Sequence, residues 1–297
     1  MVPVAEFEAA RSQLTALAFR LLGSIHDAED AVQSTWIKAS TADTDGLRNP
    51  AAWLTTVLTR VCLDQLRMRN RRREEPLLAD TIPAESLAAD EHYLLRENVS
   101  RALMVVLELL TPSQRVAYVL HDLFDVPFVE VAETLGTSPG NAKKHASRAR
   151  IRIEQTEPAP TTTSLDSAVV DAFLTAAAGG DIQRMLALMN EDCVRTADPA
   201  LVPPGTPTVV TGAAAVAEET TLFADRIRAS TTMLVDGRPA YIIAPGGHLL
   251  AVIEFTTRDR RVARIDISRG SAHTTFAMPS TIGRSAAAIQ LLVDDPG

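Results

Sequence analysis

The chain is 297 residues long, 46% apolar, and carries a formal net charge of -8. That length predicts two or three domains with buried cores, and the negative balance excludes a chain coated in basic surface, so contact with nucleic acid has to come from local patches. No apolar run approaches the ~20 residues of a membrane span, no charged-then-apolar signal segment opens the sequence, and Cys62 and Cys193 lie far apart in apolar patterns, as reduced buried thiols of a cytosolic protein do.

Three helices are predicted up to about Asn70. Phe7, Ala10, Leu14, Leu17, Ala18, Leu21 and Leu22 follow helical spacing, and Gly23 stands at a helix-stop position. A second helix is expected from about His26 to Ala39. Beyond the polar loop from Thr41 to Arg48, Asn49 is placed as N-cap and Pro50 at the first helical position, where its missing N–H costs nothing. Trp53, Leu54, Val57, Leu58 and Val61 supply the buried side of that third helix. It runs into a basic block in which six arginines between Arg60 and Arg73 face the single Asp64. From Glu74 to Glu91 the sign reverses, with six acidic residues, two prolines and no lysine or arginine, which reads as an extended negative linker.

A second helical unit is expected from about Leu94 to Gln155, with a fresh start at Thr111-Pro112. Its end, Phe128 to Ile153, reads as a helix-turn-helix. Val129, Ala132 and Leu135 give the first helix an apolar stripe, Gly136-Thr137-Ser138 breaks it, and Ala142, Ala146, Ala149 and Ile153 return at helical spacing. The outward face of the second helix carries Lys143, Lys144, Ser147, Arg148, Arg150 and Arg152, and no acidic residue lies between Gly140 and Arg152. Such a face suits the phosphates and base edges of a major groove. A Pro/Thr-rich break over residues 157–163 precedes a segment of different grammar. Two amphipathic helices come first, one of Val169, Val170, Phe173, Leu174 and Ala177, the other of Met185, Leu186, Leu188 and Met189. Strand-like runs follow at 208–210, 231–235, 241–244, 249–255 and 262–267, with Pro245-Gly246-Gly247 as a hairpin signal. Helices followed by a meander predict an α+β layer.

Four blocks carry a family resemblance: Asp27-Ala28-Glu29-Asp30-Ala31-Val32-Gln33 followed by Trp36, Pro50-Ala51-Ala52-Trp53-Leu54, Pro112-Ser113-Gln114-Arg115, and Phe128-Val129-Glu130-Val131-Ala132. In order and distance they resemble extracytoplasmic-function sigma factors of bacterial RNA polymerase. The last third, through Phe173, the turn Ala177-Ala178-Gly179-Gly180-Asp181 and the strands after it, resembles the SnoaL-like branch of the nuclear-transport-factor-2 superfold. The fold class expected is therefore multidomain: two all-α sigma domains, the second with a helix-turn-helix, followed by an α+β SnoaL/NTF2-like cone. The boundaries expected are 1–73, an acidic linker at 74–93, 94–155, a second linker at 156–164, and 165–297.

The resemblance implies an alternative sigma factor that binds core polymerase through its β′ and β subunits, reads −10 and −35 promoter DNA, has an anti-sigma factor as a possible partner, and needs no cofactor, metal or membrane. Asp27, Glu29, Asp30, Val32 and Gln33 match the positions that dock on the polymerase. Arg48 and Asn49 match the part that captures an unstacked −10 base, while Arg60, Arg67, Arg69, Arg71 and Arg72 would neutralise phosphates. Ser138, Asn141, Lys143, Lys144, Ser147 and Arg148 match the −35 contacts, Asn141 being the base reader because an amide pairs bidentately with adenine. Trp36 and Trp53 sit at core spacing. By the resemblance the acidic linker threads the positively charged channel of the polymerase. The alternative function is a one-component regulator with a ligand-sensing C-terminal domain. A catalytic domain would draw on Asp198, Asp236, Glu254, Asp266, His248 or His273, which form no motif whose spacing predicts convergence.

Overall fold

The apolar spacing of the first seventy residues is realised as three helices, α1 (Val4–Leu22), α2 (Ile25–Thr41) and α3 (Pro50–Arg71). Each boundary has a local cause. Gly23 adopts φ 81° and returns its N–H to the Phe19 carbonyl, closing α1. The Ser24 hydroxyl accepts from the Asp27 N–H to start α2, and the Asn49 carboxamide accepts from the Ala52 N–H at 3.0 Å to start α3. Phe7, Leu14, Leu17, Leu21, Leu54 and Leu58 close the space between the three helices. Trp53 and Val57 are half-buried rather than core, and so is Trp36.

The computed structural model describes residues 2–43, 47, 49–71, 79, 82–153, 164–203, 205–269 and 274–278. They fall into two units, one containing the residues up to Ile153 with the turn Gly246–His248, the other the described residues from 164 to 245 and from 249 to 278. Among the described residues no helix is long and apolar enough to cross a membrane.

The acidic stretch departs from its predicted extended form. Ala84–Arg96 is a helix, α4. Two of its carboxylates have internal partners, which explains how this acidic segment is held: Asp90 is 1% exposed and accepts from the Ile25 N–H at 2.7 Å, and Glu91 pairs with Arg101 at 2.6 Å. Burial works to raise the Glu91 pKa, but hydrogen bonds from Arg101 and from the Gly246 N–H outweigh it and hold the carboxyl below its usual range. Helices α5 (Arg101–Glu108) and α6 (Pro112–Tyr118) follow, the latter opened by a capping box between Thr111 and Gln114. A π-helical turn, Val119–Leu123, leads to α7 (Phe128–Leu135) and α8 (Pro139–Ile153). Gly136, at φ 65°, makes the break between the last two. Val131, Ala132 and Leu135 form the buried stripe of α7, whereas Val129, expected there, is 58% exposed.

Within this unit Arg115 is 3% exposed. Its Nε donates to the Arg20 carbonyl at 3.0 Å, and Nη1 and Nη2 both lie 3.2 Å from Glu108 Oε1. Burial pulls the guanidinium pKa down, and Glu108 opposes the fall.

The second unit begins with α9 (Ser164–Gly179) and α10 (Ile182–Leu188). Seven strands follow: β1 (Met189–Ala197), β2 (Val209–Thr211), β3 (Ser230–Val235), β4 (Arg238–Ile243), β5 (Ala251–Arg258), β6 (Arg261–Ser268) and β7 (Phe276–Ala277). Two short helices, α11 (Ala213–Thr221) and α12 (Ala224–Arg228), sit between β2 and β3. The sheet order is β2-β1-β6-β5-β4-β3-β7, with β1 and β6 parallel and every other neighbour antiparallel. Phe173 and Ala177 of α9, Met185 of α10, Val216 of α11 and Ile253 and Ile265 of the sheet belong to one buried cluster. The expected α+β layer is present, and five of its strands lie where the sequence pattern puts them. Strand β1 was not predicted, nor were β7 and the helices α11 and α12.

Two outcomes follow from burial. Replacing Arg115 by alanine strands Glu108 and the Arg20 carbonyl, and should lower the unfolding free energy by about 3 kcal/mol or more. The same change at Arg11, whose pair with Glu8 is exposed, should cost under about 1 kcal/mol. Urea titration of the two variants side by side reads the difference. Burial pushes the Cys62 thiol up to about 12 and that of Cys193 up to about 11, so iodoacetamide at neutral pH should label neither cysteine in the folded chain and both in denaturant.

Candidate polymerase and promoter interfaces

On the surface between α1 and α2 lies a groove of about 500 Å³ lined by Phe7, Arg11, Thr15, Glu29, Asp30, Val32, Gln33 and Trp36. Phe7 and Trp36 meet with ring centroids 4.8 Å apart and planes tilted by 48°, and they wall its apolar side. Glu29, Asp30 and Gln33 are exposed at its edge, and Val32, 2% exposed, belongs to its floor. Four of the five residues matched to polymerase docking therefore converge. The fifth does not join them. Asp27 is turned to α3, where it takes an ion pair from Arg69 at 2.5 Å. A groove with an aromatic wall and an acidic and amide rim can receive a basic, apolar-faced helix.

The arginines of α3 divide into committed and free. Arg69 donates to the Leu22 carbonyl at 3.0 Å as well as to Asp27, so it closes the end of α1 onto α3. Arg60 is exposed and reaches the Glu133 carbonyl at 3.4 Å. Together with Arg67, Leu63 and Asp64 it faces the end of α7 across a groove of about 300 Å³. Arg67 has Asp64 at a loose 4.0 Å, and Arg71 is exposed. Asn49 serves as the cap of α3. Arg48 and Arg72, with Asp45 and Gly46 of the polar loop, lie outside the described residues.

Helix α8 is set by alanines. Ala142, Ala146 and Ala149 are fully buried and Ile153 nearly so, which brings the backbone close to α6 and leaves the opposite face outward. Ser138, Asn141, Lys143, Lys144, Ser147 and Arg148 are all exposed on that side. The Ser138 hydroxyl accepts from the Asn141 N–H at 3.3 Å and caps the helix. The Asn141 amide donates to Thr137 Oγ1 at 3.2 Å, and Lys143 lies 5.7 Å from the Phe128 ring centroid. Lys144, Ser147 and Arg148 have no hydrogen-bond or ion-pair partner among the described residues. Arg150, counted with the outward face from the sequence, is instead anchored to Asp122 at 2.5 Å. The helix presents a capped N-terminus and a run of bases, the geometry of major-groove insertion.

In the second unit the sheet and helices line a cavity of about 80 Å³, open at one side and walled mostly by apolar side chains, among them Phe173, Ile253 and Ile265. On its wall Arg195, 4% exposed, is held by Glu219 through Nε at 2.9 Å and through Nη2, and by the Thr208 and Pro207 carbonyls. Among the described residues, none of the carboxylates and histidines weighed as acid–base candidates lines this space. Asp198 accepts from the Ala200 N–H, Asp266 pairs with Arg264, and Asp236 and Glu254 border a separate groove with Arg238. His248 belongs to the first unit, buried with Nε2 3.3 Å from Asp90 Oδ2, and His273 lies outside the described residues. The Arg195–Glu219 pair was not singled out from the sequence. Its one signal was an arginine at an inward position of a strand.

Residues 7–72 match Sigma-70 region 2 and residues 100–153 match Sigma-70, region 4. The groove between α1 and α2 lies in the first, and the helix-turn-helix in the second. These two regions in this order define a sigma-70-type transcription factor. Over 206 residues the chain is 43% identical to the ECF RNA polymerase sigma factor SigJ of Mycobacterium tuberculosis, covering 66% of this chain and 64% of that one. It is 31% identical over 198 residues to a probable ECF sigma factor, SigI, of the same organism, covering 63% and 66%. The alignments thus span about two thirds of the relatives' own length. The crystal structure of M. tuberculosis SigJ aligns at 32% identity over 90% of this chain and 96% of that chain, with a TM-score of 0.43. The chain belongs to the extracytoplasmic-function sigma factors.

Proposed function

We propose that this chain is an alternative sigma factor: it binds core RNA polymerase, recognises −10 and −35 promoter elements and directs initiation, with the C-terminal α+β unit, read as a SnoaL-like domain, modulating that activity. The observation that carries the reading is the pairing of two dissimilar surfaces in one helical unit. One is the apolar-walled groove with Glu29, Asp30 and Gln33 on its rim, the other the uncommitted bases Lys144 and Arg148 on α8. The first suits a protein helix, the β′ subunit of core polymerase being the partner class. The second suits duplex DNA. Arg60, Arg67 and Arg71 add phosphate affinity on α3, while Arg69 and Asp27 hold the helices that present them. An anti-sigma factor, a protein that competes for the same groove, is the further partner this reading allows. Such a factor works in the cytoplasm beside the polymerase, and its role is binding rather than turnover.

Promoter engagement then requires α3 and α7 to part. The two elements lie about 25 base pairs apart, or ~85 Å at ~3.4 Å per pair. A compact body of this unit's size has a radius of gyration of only about 15 Å, and Arg60 touches Glu133 within it. The packed arrangement is therefore a resting form, and polymerase binding opens it.

Substituting Asp30 and Gln33 by alanine should weaken capture of core polymerase with unfolding unchanged. Substituting Lys144 and Arg148 should spare capture, lower promoter use, and flatten the salt dependence of promoter binding by about two phosphate contacts. Equal loss in both assays for both pairs contradicts this division, and tight sequence-specific binding of duplex DNA by the free chain favours a one-component regulator. Cross-linking Arg60→Cys to Glu133→Cys with a short bis-maleimide should leave core binding intact and abolish the run-off transcription that the singly capped double variant, lacking the same Arg60 charge, still supports. Initiation by the cross-linked species at the uncross-linked rate would show that no opening is needed.

A further inference from the structure

The second unit holds a cavity whose charge and shape call for a ligand. Its wall is apolar, drawn from α9, β1, β5 and β6, and offers a water molecule few partners. The buried charges there cancel, because Arg195 is neutralised by Glu219. One net charge is left. Arg226 lines the same cavity from α12 and is exposed at its mouth, with its Nη1 on the Leu201 carbonyl and its guanidinium 5.5 Å from the Phe223 ring centroid. Among the described residues no carboxylate pairs with it, since the neighbouring Asp225 is taken by Arg228. One guanidinium hydrogen is committed to Leu201, so a two-pronged face remains for a planar anion.

We propose that this cavity binds a small branched aliphatic carboxylate, its apolar body inside and its carboxylate on Arg226. Size sets the class. A cavity of about 150 Å³ takes a six-carbon benzene ring, and this one, at about 80 Å³, takes a smaller body, branched and of about three to four carbons, with the polar end left at the mouth. A neutral molecule of the same shape forgoes the charge-assisted hydrogen bonds at the mouth, and an aromatic ring is too large. The site is separate from the polymerase groove and from α8, and its occupancy is readable with neither polymerase nor DNA present.

The test uses the full chain with isovalerate and its neutral analogue isovaleramide, followed by saturation-transfer NMR and calorimetric titration. Saturable binding of isovalerate is expected, with the amide at least about tenfold weaker. R226Q should erase the preference between acid and amide. A197L places about three carbons into the space and should abolish binding of both, with the thermal unfolding midpoint held or raised, as filling a void does. Absence of saturation by isovalerate up to about 10 mM overturns the proposal, as does binding that neither variant changes. R226Q decides alone should A197L fail to fold. Because no step involves transcription, failure here leaves the sigma-factor reading standing, and failure of that reading leaves this one standing.

Discussion

A buried guanidinium holds the helical unit together. Arg115 sits at the start of α6, yet its donors go to the carbonyl at the end of α1 and to Glu108 at the end of α5. An ion so deeply desolvated is tolerated only when its hydrogens are satisfied, and here the exposed carbonyl end of one helix supplies what a single carboxylate does not. Gly23 completes the arrangement in two ways. Its left-handed backbone ends α1, and its missing side chain leaves room for Glu108, whose Oε1 would lie 2.3 Å from a Cβ placed there. The same glycine thus stops a helix and admits the counter-ion that lets the arginine be buried.

Charge in this unit is sorted by whether it is already used. Asp27 and Arg69 pair with each other, Arg150 with Asp122, and Glu91 with Arg101. Their contribution is to position helices. Asp30, Gln33, Lys144 and Arg148 are left facing solvent, and these are the groups with donors and acceptors to offer a partner. A strongly basic block in a chain of net charge -8 is consistent with this sorting, since only a few of its members project a field outward.

The C-terminal unit solves a related problem with the opposite outcome. Burying Arg195 under β1 requires Glu219 from α11 and two loop carbonyls, and these fix α11 against the sheet. With that wall rigid and polar groups satisfied, the remaining lining is apolar and does not collapse. A sheet with one parallel pair at β1 and β6 and antiparallel pairs elsewhere packs against the helices, and the cavity lies between the two layers.

Local chemistry was legible in the sequence. The cap at Asn49, the helix start at Thr111-Pro112, the stop at Gly23, the alanine stripe of α8 and five strands of the meander all follow from spacing and turn residues, because those signals act within a few residues of one another. Strand β1 escaped because Arg195 occupies an inward position, which breaks the apolar alternation by which strands are recognised, and because the register shifts between Met189 and Val194. The helical part of the acidic stretch escaped for the same reason: Asp90 and Glu91 find their partners in Ile25 and Arg101, which no local pattern announces. The sequence determined which residue types each surface would offer, while the tertiary structure decided which of those charges are spent internally and which remain free, since burial and partnering of an ion depend on groups brought together from distant parts of the chain.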